Sequence, residues 1–390
     1  MNVQMINGVP VKIWTQEVEE SAMRQIANLT TLPFLYRHLA MMPDVHTGMG
    51  MPIGGVLACR GAVIPNAVGV DIGCGMCAMK SSWRVSEIDD EVLRKQIMRG
   101  IRQRIPVGMA HHEEKQDPKY LPTGHDMDRL TIVRQRGEAI LRELGTLGGG
   151  NHFIELQRDE EDFLWVMIHS GSRNLGARVA AYYNDLAVKL NAQWHSSVAP
   201  ELKLAFLAEG TREFGAYWRE MKYCVDFAHS NRRLMMLRIQ EVLAEALPGI
   251  EFEPIINIAH NYADKERHYG EEVYVHRKGA TLASLGTIGI IPGSMGTASY
   301  IVEGLGNPES FHSCSHGAGR VLSRKAAIRT LNLEEEVERL DRQGIVHGLR
   351  SRDDLQEAPG AYKDIEAVIA NQQDLVRVLT RLRPVAVVKG

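Results

Sequence analysis

The sequence predicts an α+β fold, a single large mixed-sheet domain over residues 1–390 with helices packed around it. Three observations carry this expectation: short apolar runs of strand length recur, amphipathic stripes of helical period lie between them, and the alternation is too irregular for a doubly wound sheet. In chain order, His111–His125 reads as loop. Leu164–Ile168 is a β-branched run of strand length, and Ala177–Leu190 and Leu234–Leu247 carry helical stripes whose Met and Leu belong to a core. Ile255–Ala259 and Thr287–Ile291 are further strands. From Asp364, a good N-cap, the apolar residues Ile365, Val368, Ile369, Leu375, Val376, Leu379 and Leu382 predict one helix that stops before Pro384. Pro384–Val388 is the last strand. No internal repeat, low-complexity tract or Pro/Ser linker divides the chain.

Composition narrows the function classes. With 44 % hydrophobic and 24 % charged residues, the 390-residue chain is globular, which excludes a disordered, collagenous or coiled-coil polypeptide. No run reaches the ~18 apolar residues of a membrane span. The polar start MNVQMINGVP is unlike a signal peptide, so a soluble, cytoplasmic protein without a membrane partner is expected. Five cysteines are too sparse for a disulfide framework. A net charge of −3 means that any nucleic-acid partner has to be held by a local basic surface.

Glycine is abundant, 36 residues, and it clusters beside reactive side chains. Eight glycines fall between Gly48 and Gly75, four between Gly145 and Gly150, and six between Gly286 and Gly306. Such clusters imply tight turns or main chain approaching a ligand. In the first cluster Asp71 and Cys74 lie three apart in a turn. His152, His169 and His260 each sit at the edge of an apolar run. Asp, Cys and three His are a set suited to Mn²⁺, Zn²⁺ or Co²⁺, a thiolate being able to bridge two ions; each histidine alone reads better as a hydrogen-bonded buried residue. Cys77 completes a C-x-x-C with Cys74 but lacks a second ligand pair, so Cys77, Cys59 and Cys224 are assigned to packing. The other dense element, Phe311–Arg320, offers small residues through which main-chain N–H groups could meet a phosphate, with His316 as base or phosphate acceptor and basic Arg324, Lys325 and Arg329 beyond. A polar glycine turn before a solvated helix is the alternative.

Eight segments carry a resemblance: MPDVHTGMGMPIGGV (42–56), VGVDIGCGM (68–76), GTLGGGNHFIE (145–155), HSGSR (169–173), PGSMG (292–296), SCSHGAGR (313–320), AYKD (361–364) and the terminal VVKG. In this order they resemble the RtcB family of GTP-dependent RNA ligases, over nearly the whole chain. The resemblance implies an enzyme that joins RNA 3′-phosphate or 2′,3′-cyclic phosphate ends to 5′-hydroxyl ends in RNA repair or tRNA splicing, using GTP and two Mn²⁺ ions, with an archease-like activator as an optional partner. It implies Asp71, Cys74, His152, His169 and His260 as metal ligands and His316 as the nucleophile that becomes guanylylated. Nucleotide contacts are implied at Asn151, His152, Phe153, Ile154 and Glu155, at His260 and Asn261, and at Pro292, Gly293, Ser294 and Met295 with Ser299. Others fall on His316, Gly317, Ala318, Gly319 and Lys389. Arg173 and Arg320 are the candidate grips for RNA phosphate, because a guanidinium fork matches phosphate geometry.

Two positions depart from the pattern. Ala259 stands where a second histidine is expected, and Met49 where a lysine is common. A dinuclear metallophosphoesterase is the rival reading, but it has no need of the His316 segment, Pro292–Met295 and Lys389. A non-catalytic RNA-binding subunit would lack a ligand or the nucleophile, and neither is missing.

Overall fold

The computed structural model describes residues 1–390. In chain order the strands are β1 (Asn2–Ile6), β2 (Val9–Ile13), β3 (Leu35–His46), β4 (Ile53–Cys59), β5 (Ala62–Val63), β6 (Gly75–Arg84), β7 (Phe153–Arg158) and β8 (Phe163–Ser170). After these come β9 (Leu207–Ala208), β10 (Ile256–Ala259), β11 (Asn261–His268), β12 (Glu271–Lys278), β13 (Ala280–Leu282), β14 (Ile288–Ile291), β15 (Ser299–Gly304), β16 (Ser313–Ser315) and β17 (Val376–Lys389). They build a six-stranded sheet in the order β1-β2-β3-β4-β12-β11 and a seven-stranded sheet in the order β10-β6-β8-β7-β17-β15-β14, with two short ribbons, β13-β16 and β5-β9. Every pairing is antiparallel except β2 with β3. The α+β expectation holds.

The largest helix, Arg212–Ala246, lies across β6, β8 and β10. Thr211 caps its start by accepting from the Phe214 N–H at 3.2 Å. Its buried stripe, Phe214, Tyr217, Met221, Cys224, Ala228, Met235, Ile239 and Val242, keeps the helical spacing. Each large member contributes about 2 kcal/mol by leaving water. The helix Asn174–Gln193 and the predicted strands at 164–168, 255–259 and 287–291 also stand where the sequence puts them. Cys59, Cys77 and Cys224 are free and buried.

The end of the chain corrects one expectation. The predicted helix from Asp364 to Leu382 is helical only over Ile365–Ala370, and Val376–Lys389 is a 14-residue strand. Asp364 does cap, accepting from the Glu366 N–H at 3.0 Å. From Val376 to Leu382 the chain pairs with β15, and from Arg383 to Lys389 with β7. The helical spacing was a coincidence overridden by β-branched Val376, Val378 and Thr380 and by sheet pairing. Pro384 sits at a register shift against β7, where its missing N–H costs least.

Candidate active site

Five neighbouring strands place the predicted ligands on one sheet edge. Cys74 immediately precedes β6, His260 follows β10, His169 is the penultimate residue of β8, His152 precedes β7 and Lys389 ends β17. Because β10, β6, β8, β7 and β17 are successive antiparallel neighbours, these ends lie side by side: Ala259 faces Gly75, Met76 faces His169, and Phe153 faces both His169 and Lys389. The Asp71–Cys74 turn is closed by a Cys74 N–H to Asp71 carbonyl bond of 3.1 Å. Gly73 is required there: its φ is +78°, and a Cβ would lie 2.8 Å from the Val225 Cα.

The side chains converge. Cys74 Sγ lies 3.2 Å from His169 Nε2 and 3.5 Å from His152 Nε2, His152 Nε2 lies 3.2 Å from Asp71 Oδ2, and His169 Nε2 lies 3.4 Å from His260 Nε2. The donor atoms of Cys74, His152 and His169 all lie within 4.8 Å of one another. His169 Nδ1–H donates to the Asn151 carbonyl at 3.0 Å, which leaves its Nε2 lone pair facing the cluster. Burial drives His169 and His260 well below the usual imidazole range, so both are neutral and ligand-competent. Burial, then Asp71, pushes the Cys74 thiol well up. For Asp71 burial acts upward, but the hydrogen bond and charge of His152 bring it below the carboxylate range. Five potential ligand atoms crowded at such distances fit a cation, and the mixture of thiol, imidazole and carboxylate suits a borderline transition ion.

The six-stranded sheet supplies the opposing wall. The chain passes between the sheets at His260–Asn261, from β10 into β11, and β3 brings Asp44 while the β13-β16 ribbon leads to His316. Fully buried Asp44 Oδ2 accepts twice from His316, from Nδ1 at 2.6 Å and from the main-chain N–H at 3.1 Å. A carboxylate only accepts, so Nδ1 of His316 is the donor, and in the neutral ring the lone pair is on Nε2. The His316 ring centroid is 4.8 Å from that of His260. Gly279, at φ +61°, makes room: a Cβ there would lie 2.9 Å from His316 Cε1.

Above His316 and His169 opens a cleft of about 400 Å³. Most of the predicted nucleotide contacts line it: Asn151, Phe153, Glu155, Pro292 to Met295, His316 to Gly319, and Lys389. Phe153 and Glu155 face it, whereas Ile154, between them on β7, turns into the core, as strand alternation requires. Ser299 and Asn261 stand behind the lining. Ser299 Oγ accepts from Gln157 Nε2 at 3.1 Å and from the Gly293 N–H at 3.1 Å, and Asn261 joins the Asp71 carbonyl to the Gly279 N–H. Half-buried Lys389 lies 5.2 Å over the Phe153 ring, where the charges of Glu357 and Glu155 act on it. Burial pushes Glu155 up to about 7 against the pull of Lys389.

The two arginines are held by the protein itself. Arg173 donates to Thr146 Oγ1 at 2.8 Å and to the Gly108 carbonyl at 3.0 Å, away from the cleft. Arg320 lines the cleft, but donates to the Leu322 and Gln356 carbonyls and to Glu357. Sequence reasoning missed Asp44, His46 and Tyr362, which belong to this wall. Asp44 and His46 lie inside the quoted 42–56 segment, where a carboxylate and an imidazole beside a glycine turn were the available signal. Ala259 packs over Gly75, and exposed Met49 offers its carbonyl to Lys278 Nζ at 2.6 Å.

A thiol–imidazole cluster buried at the edge of one sheet and overhung by a carboxylate-backed histidine from another defines an enzyme with an enclosed reaction cleft. The family model described as tRNA-splicing ligase RtcB matches residues 25–139 and 122–390. Two relatives from Escherichia coli strains, an RNA-splicing ligase RtcB1 and an RNA-splicing ligase RtcB of strain K12, are each 40 % identical over the full length of both chains. A tRNA-splicing ligase RtcB of Nanoarchaeum equitans is 31 % identical over 98 % of this chain and 96 % of its own. The chain belongs to the RtcB family.

Proposed function

We propose that this protein is an RNA ligase that joins a 3′-phosphate or 2′,3′-cyclic phosphate end to a 5′-hydroxyl end, using GTP and Mn²⁺, in RNA repair or tRNA splicing. The observation that carries the reading is the Asp44–His316 pair, which engages Nδ1 and so assigns the lone pair of the neutral ring to Nε2, in the lining of a cleft of about 400 Å³. His316 Nε2 attacks the α-phosphorus of GTP; an N–P bond forms and the bond to the pyrophosphate leaving group breaks. His316 then gives up GMP to an oxygen of the RNA 3′-phosphate, so the N–P bond breaks and a phosphoanhydride forms. The 5′-hydroxyl oxygen attacks the RNA 3′-phosphorus, closing the phosphodiester and expelling GMP. A cyclic end is first hydrolysed: a water oxygen bonds to phosphorus, the P–O2′ bond breaks, and a 3′-phosphate with a free 2′-hydroxyl results.

Asp71, Cys74, His152, His169 and His260 would hold two Mn²⁺ ions, which supply charge neutralisation for the phosphates. Asp44 keeps the His316 tautomer fixed through the cycle. Glu155 and Lys389, both in the cleft lining, suit the polar edge of a guanine base, and Phe153 its face. The turns Pro292–Met295 and His316–Gly319 offer main-chain contacts to phosphate. The same reading takes residues 1–390 as one catalytic unit in the cytoplasm, with an archease-like activator as a partner to be tested by its effect on turnover.

Incubation with Mn²⁺ and [α-³²P]GTP tests the proposal. A radiolabelled protein band that disappears in His316→Ala is expected. An unlabelled protein that hydrolyses phosphoesters would instead favour the metallophosphoesterase reading.

A further inference from the structure

We propose that Asn231 and Arg232, adjacent residues of the long helix, are positioning residues for the metal centre, tying together the segments that carry the thiol and imidazole ligands. The inference rests on the reading that this cluster holds a metal ion. Both side chains are completely buried where the apolar stripe of the helix would otherwise continue from Ala228 to Met235. Arg232 has no carboxylate partner. Its Nη1 donates to the Gly73 carbonyl at 2.9 Å and the Ser170 carbonyl at 2.8 Å, and its Nε donates to Asn257 Oδ1 at 2.8 Å. Gly73 adjoins Cys74, Ser170 adjoins His169, and Asn257 lies on β10 three residues before His260.

Asn231 completes the set. Its Oδ1 accepts from the Gly145 and Thr146 N–H groups at 2.7 and 3.2 Å, and its Nδ2 donates to the Thr146 and Gly171 carbonyls at 3.1 Å and to Ser170 Oγ at 3.2 Å. Thr146 opens the glycine turn that ends at His152. Two residues on one helical turn thus join four chain segments far apart in sequence. An uncompensated buried guanidinium is costly, and a well-packed apolar residue would serve packing alone better. A fixed fork of donors that binds the carbonyls beside Cys74 and His169 and the Asn257 side chain on the strand leading to His260 holds those ligands at one mutual spacing.

Titrating the full-length protein with Co²⁺ tests this, because a thiolate–Co²⁺ charge-transfer band reports both affinity and geometry. Arg232→Lys keeps the charge and loses the fork. It should weaken Co²⁺ binding at least about tenfold and shift the band while circular dichroism stays native. Asn257→Ala, which removes one acceptor from a half-buried strand, should weaken binding by a smaller factor, and its titration decides the matter if Arg232→Lys does not fold. Arg277→Lys, an equally buried arginine bonded to Glu266 and Ser313, should lower thermal stability and leave the band in place. Unchanged affinity and band in both Arg232→Lys and Asn257→Ala would overturn the proposal, as would an equal shift in Arg277→Lys. Absence of a thiolate band in the unmodified protein would sink the metal reading itself.

Discussion

His316 and Asp44 meet across 272 residues of sequence, and the chemistry proposed for His316 depends on that meeting. Asp44→Asn keeps the volume but replaces the acceptor with an amide that can donate, so the ring loses its fixed tautomer. Transfer of label from [α-³²P]GTP should slow by about two to four orders of magnitude, the range for a histidine held in the wrong tautomer. Metal content should stay near that of the unmodified protein; a large loss of metal would make Asp44 part of the metal centre instead. Cys74→Ser should reduce both Mn²⁺ occupancy and label transfer, and full activity with Mg²⁺ alone would count against a thiolate in the site. Glycine turns at the ends of apolar runs made Cys74, the three histidines and His316 candidates in the sequence, and the family resemblance supplied the roles proposed for them. Asp44 was not, because its partner lies on a segment that nothing in local spacing connects to it. Arg173 and Arg320 read as candidate phosphate grips in sequence, and the fold shows Thr146, main-chain carbonyls and the Glu357 carboxylate bonded to them.

At the scale of elements, β17 is the instructive case. Its apolar positions fit a helical period, and what decides its conformation is the pairing with β15 and β7, which no local pattern records. The strand brings Lys389 beside Phe153 and lets the Gly390 N–H donate to the His152 carbonyl at 3.3 Å. Deleting Lys389 and Gly390 should abolish label transfer from GTP with little change in melting temperature, since Arg383–Val388 still pairs with β7. Normal transfer in the truncated protein would reduce Lys389 to a packing residue. A second element-scale test lies on β11 and β12. Burial acts to raise Glu266, but fully buried Arg277 and then His268 hold it down at about 2. Since this pKa is depressed on folding, the stabilisation is complete above the ordinary carboxyl value of 4.5 and is lost as pH falls from there towards about 2. Glu266→Gln leaves Arg277 without its charge partner. It should cost about 3 kcal/mol in denaturant unfolding at pH 7 and flatten the acid limb between pH 4.5 and 2.

In the whole molecule, two sheets divide the work. The seven-stranded sheet aligns Cys74, His152, His169, His260 and Lys389 along one edge, and the six-stranded sheet with the β13-β16 ribbon presents Asp44 and His316. The α+β class was legible because strand-like and helix-like periods alternate irregularly. The division between sheets was not, because it arises from antiparallel pairings between strands up to about 230 residues apart, such as β7 with β17. On the proposed reading this division makes His316, as acceptor of GMP, separable from the thiol–imidazole cluster, and that is the central claim. The most direct test uses His316→Ala with RNA already carrying a 3′-phosphate-GMP end, alongside metal analysis of the same preparation. The variant should retain its Mn²⁺ and seal the activated end to a 5′-hydroxyl while failing to join ordinary 3′-phosphate ends with GTP. Loss of the metal, or undiminished joining of ordinary ends, would contradict the assignment of His316 as the acceptor of GMP.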